Sequence, residues 1–302
     1  MSGRVRQTAP DLENVRAVVF VGGSKCPVNL VSMSRFCREP EEQEKMEEAG
    51  AVETSVLITG GTKGIGLAIA KRLADSRKTL FLAYHRDGQA AFKAKAQIEA
   101  KGATAHLICA DVGTVEGVTH IMEEIGSLTG SLDHIVHSAA MIYPTTMLGA
   151  DLPKFSKAVE TNGLSLLYLV QKAVPLLGRG SSIVFISSSG ARAAIRSNYG
   201  ALGAAKALAE MLMVYLVPEL APLGIRINTI APGLVHTTAV ATMAGSEEAA
   251  KTAVENAARA NPSGRAARDS DYTALVEFLL NAEAEFIQGQ TIGANGGAFL
   301  VR

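Results

Sequence analysis

The alternation of strand and helix patterns constrains the fold of this chain most strongly. From Thr54 onward, short apolar runs of the kind found in buried strands alternate with segments that have helical spacing. Such alternation predicts βαβ units with right-handed crossovers and one parallel sheet with helices on both faces. We therefore predict an α/β fold with a doubly wound, Rossmann-type parallel sheet, whose ligands bind at the carboxyl ends of the strands.

The predicted elements cover the chain from Ser55 to Ile292. The strands are predicted at Ser55–Thr59, Leu80–Tyr84, Ala105–Ala110, Leu132–His137, Ser182–Ser187, Ile225–Ile230 and Gln290–Ile292. The helices are predicted at Leu67–Asp75, Ala90–Lys101, Val115–Leu128, Pro153–Val174, Ser197–Leu216 and Tyr272–Leu280.

The first 52 residues lack this regular pattern. Val15–Val21 is predicted as a short strand, and the glutamate-rich Pro40–Gly50 as an exposed acidic helix or tail. We assign residues 1–52 to an N-terminal extension and residues 53–302 to a single Rossmann-type domain. The extension could pack on the core, exchange onto a partner subunit or result from the choice of start site.

Composition excludes several classes of protein. The 302 residues are 48% hydrophobic and 19% charged, which allows a large core and excludes disorder as the main state. The 29 basic and 29 acidic residues cancel, and this balance argues against a nucleic-acid partner. The three cysteines are odd in number and fit no metal spacing, so we expect no metal site and a reducing, cytoplasmic location.

No segment is predicted to enter a membrane. The longest uncharged stretch, near Ile227–Ser246, contains polar residues and a proline, which a lipid-facing span would not tolerate. The apolar run Ala17–Val21 is too short for the core of a signal peptide.

A glycine-rich turn follows the first strand of the domain and opens its first helix. In Thr59–Gly66, three glycines at 60, 64 and 66 allow a tight turn and a close approach of backbone to a pyrophosphate. The free N–H groups and the dipole of the helix N-terminus favour an anion there. The turn therefore predicts a dinucleotide site, and the alternative is an ordinary glycine-rich loop between strand and helix.

The Thr-Gly-x3-Gly-x-Gly pattern of this turn resembles the short-chain dehydrogenase/reductase family, and the resemblance extends from about Thr54 to Leu300. It implies a nicotinamide dinucleotide cofactor. The implied cofactor-binding residues are Gly60, Thr62, Lys63, Gly64, Ile65, Gly66, Arg86, Asp111, Val112, Ala139, Tyr199, Lys206, Pro232, Gly233 and Thr237. By this resemblance, Asp111 meets the adenine amino group, and the alternative is a helix N-cap role.

The residues after the second strand of the domain favour NADPH over NADH. Many NAD-dependent family members place an acidic residue here to hold the ribose hydroxyls, but this chain has Tyr84-His85-Arg86-Asp87. Arg86, and Lys63 in the glycine turn, could both meet a 2′-phosphate. Two alternatives stay open: Asp87 could serve NADH, and the two cations could simply be solvated.

The family's usual Asn-Asn-Ala-Gly after the fourth strand reads His137-Ser138-Ala139-Ala140 in this chain. Small residues persist where the backbone passes the adenine ribose. A His-Ser pair at this place is similar to the enoyl-thioester reductase branch. The alternative for His137 is a buried histidine with satisfied hydrogen bonds.

The catalytic tyrosine is predicted one helical turn away from its usual place. In the family's Tyr-x3-Lys motif, Lys206 would pair with residue 202, which is a leucine, while Tyr199 lies seven residues before the lysine. Seven helical residues turn through roughly 700° and rise about 10 Å, so Tyr199 and Lys206 share one face. This Tyr-x6-Lys arrangement resembles that of the enoyl-acyl-carrier-protein reductases.

The predicted chemistry is hydride transfer with stabilisation of an oxyanion. A donor aimed at the developing negative oxygen lowers the barrier, and a phenol with a pKa of about 10 needs help to act as an acid. We expect the Lys206 ammonium to lower the pKa of Tyr199 and to hold the nicotinamide ribose. By resemblance, Ser189 binds the substrate oxygen, with Ser187 and Ser188 as alternatives. The resemblance also implies that Asn162 breaks the regularity of its helix and anchors a water on the way to the lysine.

The last third of the domain is predicted to clamp the nicotinamide and cover the substrate. Pro232-Gly233-x3-Thr237 is similar to the family motif that fixes the carboxamide of nicotinamide. Residues near 238–262 are predicted to form a helical lid, which would close over bound substrate. The C-terminal strand and turn resemble those that support subunit pairing, so we expect a homo-oligomer, a tetramer or a dimer.

Taken with the resemblance, these residues predict an NADPH-dependent reductase of the C=C bond of an enoyl thioester, carried by coenzyme A or an acyl carrier. The first alternative is a ketoreductase of the same family acting on a polyketide-like or small carbonyl compound. The second is a dinucleotide-binding protein without catalysis.

Overall fold

The computed structural model describes residues 18–21, 24–27, 53–195 and 198–300, and the chain divides into two compact units, Met1–Val52 and Glu53–Arg302. In the first unit, strand β1 (Val18–Val21) pairs antiparallel with β2 (Ser24–Pro27). Val18–Val21, within the strand predicted at Val15–Val21, is therefore a strand, and residues 15–17 lie outside the described residues. The acidic segment Pro40–Gly50 lies outside the described residues.

The second unit contains a seven-stranded, fully parallel sheet with the strand order β5-β4-β3-β6-β7-β8-β9. Its strands are β3 (Thr54–Thr59), β4 (Lys78–Tyr84), β5 (Thr104–Cys109), β6 (Leu132–His137), β7 (Leu177–Ile186), β8 (Arg226–Pro232) and β9 (Thr291–Ala294). The order reverses between β3 and β6, which creates a crevice at their carboxyl ends. The predicted α/β fold with a doubly wound sheet is confirmed.

Nine α-helices connect and flank these strands in the described part of this unit. They are α1 (Gly64–Leu73), α2 (Gly88–Glu99), α3 (Val115–Thr129), α4 (Leu152–Val159), α5 (Ser165–Ala173), α6 (Gly200–Leu220), α7 (Thr238–Ala244), α8 (Glu247–Ala260) and α9 (Asp269–Leu280). The segment predicted as a lid near 238–262 consists of α7 and α8, which meet at Gly245 in the left-handed region.

Two predicted helices differ from those observed. The helix predicted at Pro153–Val174 is present as α4 and α5, but a π-helical turn at Glu160–Leu164 interrupts its α-helical pattern, at the place where the resemblance implied an irregularity at Asn162. The helix predicted to begin at Ser197 begins at Gly200 instead, because Asn198 has a φ of 62° and cannot continue a right-handed helix. Both irregularities lie beside predicted catalytic residues.

Two hydrophobic clusters, one on each face of the sheet, form the core. Successive residues of β3 alternate between them: Leu57 joins the cluster under α3, α5 and α6, whereas Val56 and Ile58 join the cluster under α1, α2 and α9. This alternation is the period of two expected of a strand that is buried on both faces. The rigid sheet fixes the loops at its carboxyl edge, where the functional side chains lie.

Among the described residues, one helical segment, Gly200–Leu223, has the length and hydropathy of a membrane span, and half of its most apolar window is buried in the domain. The segment contains three charged residues, Lys206, Glu210 and Glu219. Since α6 contacts β8 and the π-helical turn, its apolar character reflects its place in the core. The expected cytoplasmic location stays a prediction.

Candidate active site

The glycine turn between β3 and α1 lies closely against the loop after β6. A Cβ atom on Gly60, whose φ is 65°, would lie 2.9 Å from the Cα atom of Ala139, and one on Gly66 would lie 2.3 Å from the carbonyl oxygen of Gly60. The N-cap residue Lys63 makes no side-chain capping hydrogen bond to α1. The turn therefore combines a close backbone approach with a helix N-terminus that has no side-chain cap, which fits a pyrophosphate.

The predicted nicotinamide clamp reaches the same turn from the other side. A Cβ atom on Gly64 would lie 3.4 Å from the Cγ2 atom of Thr237, and the Gly233 N–H donates to Ala294 O at 2.9 Å. Pro232 is the last residue of β8. The Thr237 hydroxyl accepts from Val240 N at 3.3 Å and so caps α7, the first lid helix. The clamp loop thus joins the cofactor turn to the lid.

A lysine in the turn after β3 and an aspartate in the loop after β4 already pair with each other. Lys63 forms an ion pair with Asp87, and Asp87 also caps α2 by accepting from Ala90 N at 3.0 Å. The hydrogen bond from Lys63 is the largest of the effects that hold the pKa of Asp87 below its usual value. Arg86 directly precedes Asp87 in the loop that leads to α2, and it is exposed. Asp87 and Lys63 therefore offset each other, which leaves Arg86 as the better candidate to bind a phosphate.

Asp111, after β5, is held in a charged form. Burial raises its pKa, but the Gly113 N–H at 2.9 Å from Oδ1 and the Lys157 ammonium at 3.1 Å from Oδ2 outweigh burial, so the pKa lies below its usual value. The alternative N-cap role belongs to Thr114, whose hydroxyl accepts from Gly117 N at 3.0 Å. The neighbouring Val112 has its side chain in the core, so its backbone is the part that can face a ligand.

Tyr199 occupies the N-cap position of α6, and its carbonyl accepts from Gly203 N at 2.9 Å. Its backbone is fixed from outside the helix, since Thr145 N donates to Asn198 O at 3.1 Å and a bridge joins Thr145 to Tyr199. Its ring lies against Gly190, where a Cβ atom would come within 2.5 Å of Cε1. Both the backbone and the ring of Tyr199 are therefore fixed by neighbouring residues.

The serine that meets this phenol is Ser188. Its Oγ atom lies 2.8 Å from the Tyr199 hydroxyl and accepts from Gly190 N at 3.1 Å. Ser188 is one of the two alternatives to Ser189, and the structure places its hydroxyl against the phenol. Which of these serines binds the substrate oxygen stays a prediction. Ser189 begins the short 3-10 turn Ser189–Ala191.

Lys206 is buried on α6, with 4% of its surface exposed. Its Nζ atom donates to Ile186 O at 2.8 Å and lies 4.3 Å from the centre of the Phe185 ring. Burial lowers the pKa of Lys206 to about 7, against an opposing effect of Glu210. The lysine is therefore close to half-charged at neutral pH.

The expectation that Lys206 lowers the pKa of Tyr199 is wrong. Burial raises the pKa of the phenol above 10.0, the hydrogen bond with Ser188 opposes this rise, and Lys206 makes no resolved contribution. The ammonium is directed to Ile186 O, two residues before Ser188. Tyr199 therefore keeps its proton at neutral pH and is a hydrogen-bond donor.

Asn162 lies in the π-helical turn and is completely buried. Its Oδ1 atom accepts from Met141 N at 2.8 Å, and its Nδ2 atom donates to Met141 O at 2.9 Å. These two hydrogen bonds fix the start of the loop that runs from β6 to Thr145, the residue that bridges to Tyr199. The amide is fully used by the backbone, so the side chain positions the loop.

His137 is a buried histidine whose two ring nitrogens both have hydrogen-bond partners, as the alternative interpretation expected. The Ser165 hydroxyl donates to Thr161 O at 2.7 Å, so His137 Nε2 donates to Ser165 at 2.8 Å, and Nδ1 accepts from Thr59 at 2.6 Å. Burial, assisted by the charge of Lys206, lowers the pKa of His137 to about 3. The ring stays neutral and ties the π-helical turn to β3.

The structure thus brings the predicted cofactor residues of five loops, after β3, β4, β5, β6 and β8, to the carboxyl edge of the sheet. Tyr199 and Lys206 lie beside the end of β7. Lys157, Gly190 and Glu210 were not selected from the sequence, and Ser188 was named only as an alternative to Ser189. Glu210 follows Lys206 by four residues on the same helix, and this helical spacing was the available signal. No group of three possible metal ligands is found in the described parts of the chain.

Comparison with known proteins agrees with this geometry. A family model described as enoyl-(acyl carrier protein) reductase matches residues 60–298. The 1-cyclohexenylcarbonyl-CoA reductase of Streptomyces collinus is 30% identical over 245 residues, which cover 81% of this chain and 86% of the relative. The 3-oxoacyl-[acyl-carrier-protein] reductase FabG of Staphylococcus aureus is 29% identical over 255 residues, covering 82% and 98%.

Solved structures show the same fold. LugOII, a promiscuous reductase that catalyses keto-reduction at C1 in lugdunomycin biosynthesis, superposes with a TM-score of 0.75 and 28% identity, covering 83% of this chain and 99% of its own. A short-chain dehydrogenase from Burkholderia cenocepacia in complex with NADP gives a TM-score of 0.74 and 27% identity, covering 82% and 98%.

Proposed function

Because this chain belongs to the short-chain dehydrogenase/reductase family and is an NAD(P)H-dependent oxidoreductase, we propose that it uses NADPH to reduce the C=C bond of an enoyl thioester. The observation that carries this proposal is the position of the phenol. Tyr199 lies seven residues before Lys206, and its hydroxyl is directed to Ser188 at the carboxyl end of β7. The likeness to a reductase named for a cyclohexenylcarbonyl-CoA substrate supports the same reading.

The electrostatics of the site suit the stabilisation of an enolate. When bound, NADPH supplies the hydride to the β-carbon, and negative charge collects on the thioester oxygen. Tyr199, whose pKa is raised by burial, donates a hydrogen bond to that oxygen without surrendering its proton. Ser188 orients the phenol, and the α-carbon then takes a proton from the solvent, which completes the saturation of the bond. Reduction of a ketone would instead require the phenol to give up its proton to the alkoxide.

An apolar surface beside the phenol supports an acyl substrate. Met147 and Leu148, in the loop that runs from β6 to α4, and Leu152, the first residue of α4, are all exposed. The loop is joined to the site, because Thr145 bridges Tyr199 and the Met147 sulfur packs against Gly200. Such a surface would bury the hydrocarbon part of a thioester substrate.

The alternative function is reduction of a ketone. It is favoured by the relatives named as a 3-oxoacyl reductase and as a keto-reducing polyketide enzyme. A dinucleotide-binding protein without catalysis is a weaker alternative, since the tyrosine, serine and lysine are all held in place.

An assay of NADPH oxidation with the full chain separates these functions. Crotonyl-CoA and acetoacetyl-CoA are compared at equal concentration, and we expect turnover with crotonyl-CoA. Turnover with acetoacetyl-CoA alone would replace the proposal by the ketoreductase function. Oxidation with neither compound, nor with the corresponding acyl-carrier substrates, would favour the binding protein.

We also propose that Arg86 selects NADPH by contacting the 2′-phosphate. Arg86→Ala is expected to weaken NADPH binding roughly 10-fold, since a hydrogen bond to a charged group contributes about 1.5 kcal/mol or more, and to leave NADH binding unchanged. Fluorescence titration with both cofactors measures this. Arg77→Ala is a matched control, because Arg77 is exposed at the opposite end of β4. Equal weakening of NADPH and NADH would contradict the phosphate role.

A homo-oligomer is proposed from the outer face of α6. Met211, Val214 and Tyr215 have 55%, 49% and 70% of their surface exposed and lie at helical spacing on one side. We expect light scattering to give the mass of a dimer or tetramer, and Val214→Glu to reduce it by placing charge in the contact. A monomer mass for the unaltered protein would refute this proposal.

A further inference from the structure

Three successive residues at the end of β7 each hold one side chain of helix α6. Ile186 O accepts from Lys206 Nζ at 2.8 Å, Ser187 Oγ donates to Glu210 Oε1 at 2.6 Å, and Ser188 Oγ lies 2.8 Å from the Tyr199 hydroxyl. Residues 199, 206 and 210 fall on one face of a helix. Each of the residues 186, 187 and 188 therefore contacts one side chain on this face of the helix.

The Glu210 contact has a second part outside the helix. Its other oxygen, Oε2, accepts from Arg192 Nε at 2.8 Å, so one carboxylate bridges both ends of the loop that contains Ser188. Ser187 is buried, and 12% of the Glu210 side chain is exposed. Hydrogen bonds to a buried charged group are strong and geometrically specific, so this bridge fixes the loop more firmly than a neutral contact would.

We propose that Glu210 is a positioning residue of the reductase: its carboxylate, bound to Ser187 and Arg192, fixes the loop so that Ser188 meets the Tyr199 hydroxyl. Glu210 contacts neither the phenol nor the expected substrate oxygen. It acts through Ser187 on one side of Ser188 and through Arg192 on the other. This inference rests on the family's reductase activity and does not depend on the choice between C=C and C=O reduction.

Glu210 also influences the charge of Lys206. Among the described residues, the charged or titratable groups that act on Lys206 are Glu210 on its own helix and His137 on β6, which is neutral. Glu210 opposes the lowering of the Lys206 pKa by burial. Loss of this carboxylate is therefore expected to lower the pKa of Lys206 below about 7, in addition to loosening the loop.

The test compares Glu210→Gln with the unaltered protein, using whichever thioester the unaltered protein reduces. The amide can still accept from Ser187 but loses its charge-assisted bond to Arg192. We expect kcat to fall roughly 10- to 100-fold, the range typical of small misplacements near the reacting atoms, with the KM for NADPH changed less than about twofold. The alkaline limb of the kcat profile should move to lower pH by about one unit, because less Lys206 is charged.

Glu219→Gln is the matched control, since Glu219 is exposed two and a half turns further along the same helix. It should change neither kcat nor the pH profile. Glu210→Asp should restore part of kcat and return the alkaline limb toward its original place, because the charge is retained. A kcat within twofold of the unaltered value in Glu210→Gln, with an unmoved alkaline limb, would overturn the proposal.

Two further measurements keep the test decisive. Should Glu210→Gln fail to bind NADPH, Arg192→Gln takes its place, because it breaks the exposed end of the bridge and leaves the buried carboxylate bonded to Ser187; unchanged kcat would then overturn the proposal. Should the unaltered protein reduce no thioester, the proposed function fails by itself. Hydrogen exchange of the loop amides between Ser187 and Arg192 then carries the test: it should be faster in Glu210→Gln than in Glu219→Gln, and equal exchange would overturn the inference.

Discussion

Tyr199→Phe is expected to lower kcat at least about 100-fold, because removal of one donor to a developing oxyanion typically has an effect of this size. The ring should stay in place, since Gly190 and the bridge to Thr145 hold it independently of the hydroxyl. The affinity for NADPH, measured by fluorescence titration, should therefore change little. Steady-state kinetics with the preferred thioester gives the change in kcat.

The control for this variant is Tyr168→Phe, which removes a hydroxyl from a partly buried tyrosine on α5 that packs against the core. It should retain normal turnover. Turnover by Tyr199→Phe that equals that of the control would remove the phenol from the mechanism and with it the enoyl reductase proposal. Ser188→Ala should have a smaller effect than Tyr199→Phe, because Ser188 orients the phenol.

Lys206→Met is expected to reduce kcat by roughly 100-fold as well, since it removes the cation nearest to the predicted nicotinamide ribose. It should also abolish a pH dependence of stability. The pKa of Lys206 is about 7 in the folded protein and 10.5 in a solvated lysine. Below pH 7 the lysine is charged in both states, and between 7 and 10.5 the unfolded state binds more protons, so stability rises with pH in that window.

Thermal unfolding at pH 6 and pH 9 measures this effect. The melting temperature of the unaltered protein should gain about 5 °C from this lysine between the two pH values, and Lys206→Met should lack that gain. Lys172→Met, which replaces an exposed lysine on α5, serves as the control and should keep the gain. Identical pH dependence in Lys206→Met and the control would show that Lys206 titrates as a solvated lysine.

The sequence predicted the sheet because both of its faces are buried, which leaves continuous apolar runs such as Ser55–Thr59. It also predicted the glycine turn and the pair Tyr199 and Lys206, because these depend on local spacing. The choice of Ser188 among three adjacent serines was not predictable in this way, nor was the extent of the break at Glu160–Leu164, which the resemblance implied only at Asn162. They follow from contacts between distant segments: Ser188 from the displaced phenol, and the π-helical turn from the attachment of Asn162 to Met141.

The prediction that Lys206 lowers the pKa of Tyr199 failed for a related physical reason. Helical spacing shows that two side chains share a face, but it does not show where each is directed. The Ile186 carbonyl captures the ammonium, and burial then dominates the titration of both groups. Charge effects between neighbours on a helix therefore need the surrounding backbone acceptors to be known.

The ring of Tyr199 rests where residue 190 has no side chain, and this has a consequence for redesign. Even a methyl group at position 190 would occupy the space of the Cε1 atom, so the location of the phenol and the smallness of residue 190 form a coupled pair. A tyrosine reintroduced at position 202 would also have to displace a leucine that is 7% exposed. Conversion to the Tyr-x3-Lys arrangement therefore requires residues 190, 199 and 202 to be substituted together. We expect a protein with only one of these substitutions to be inactive.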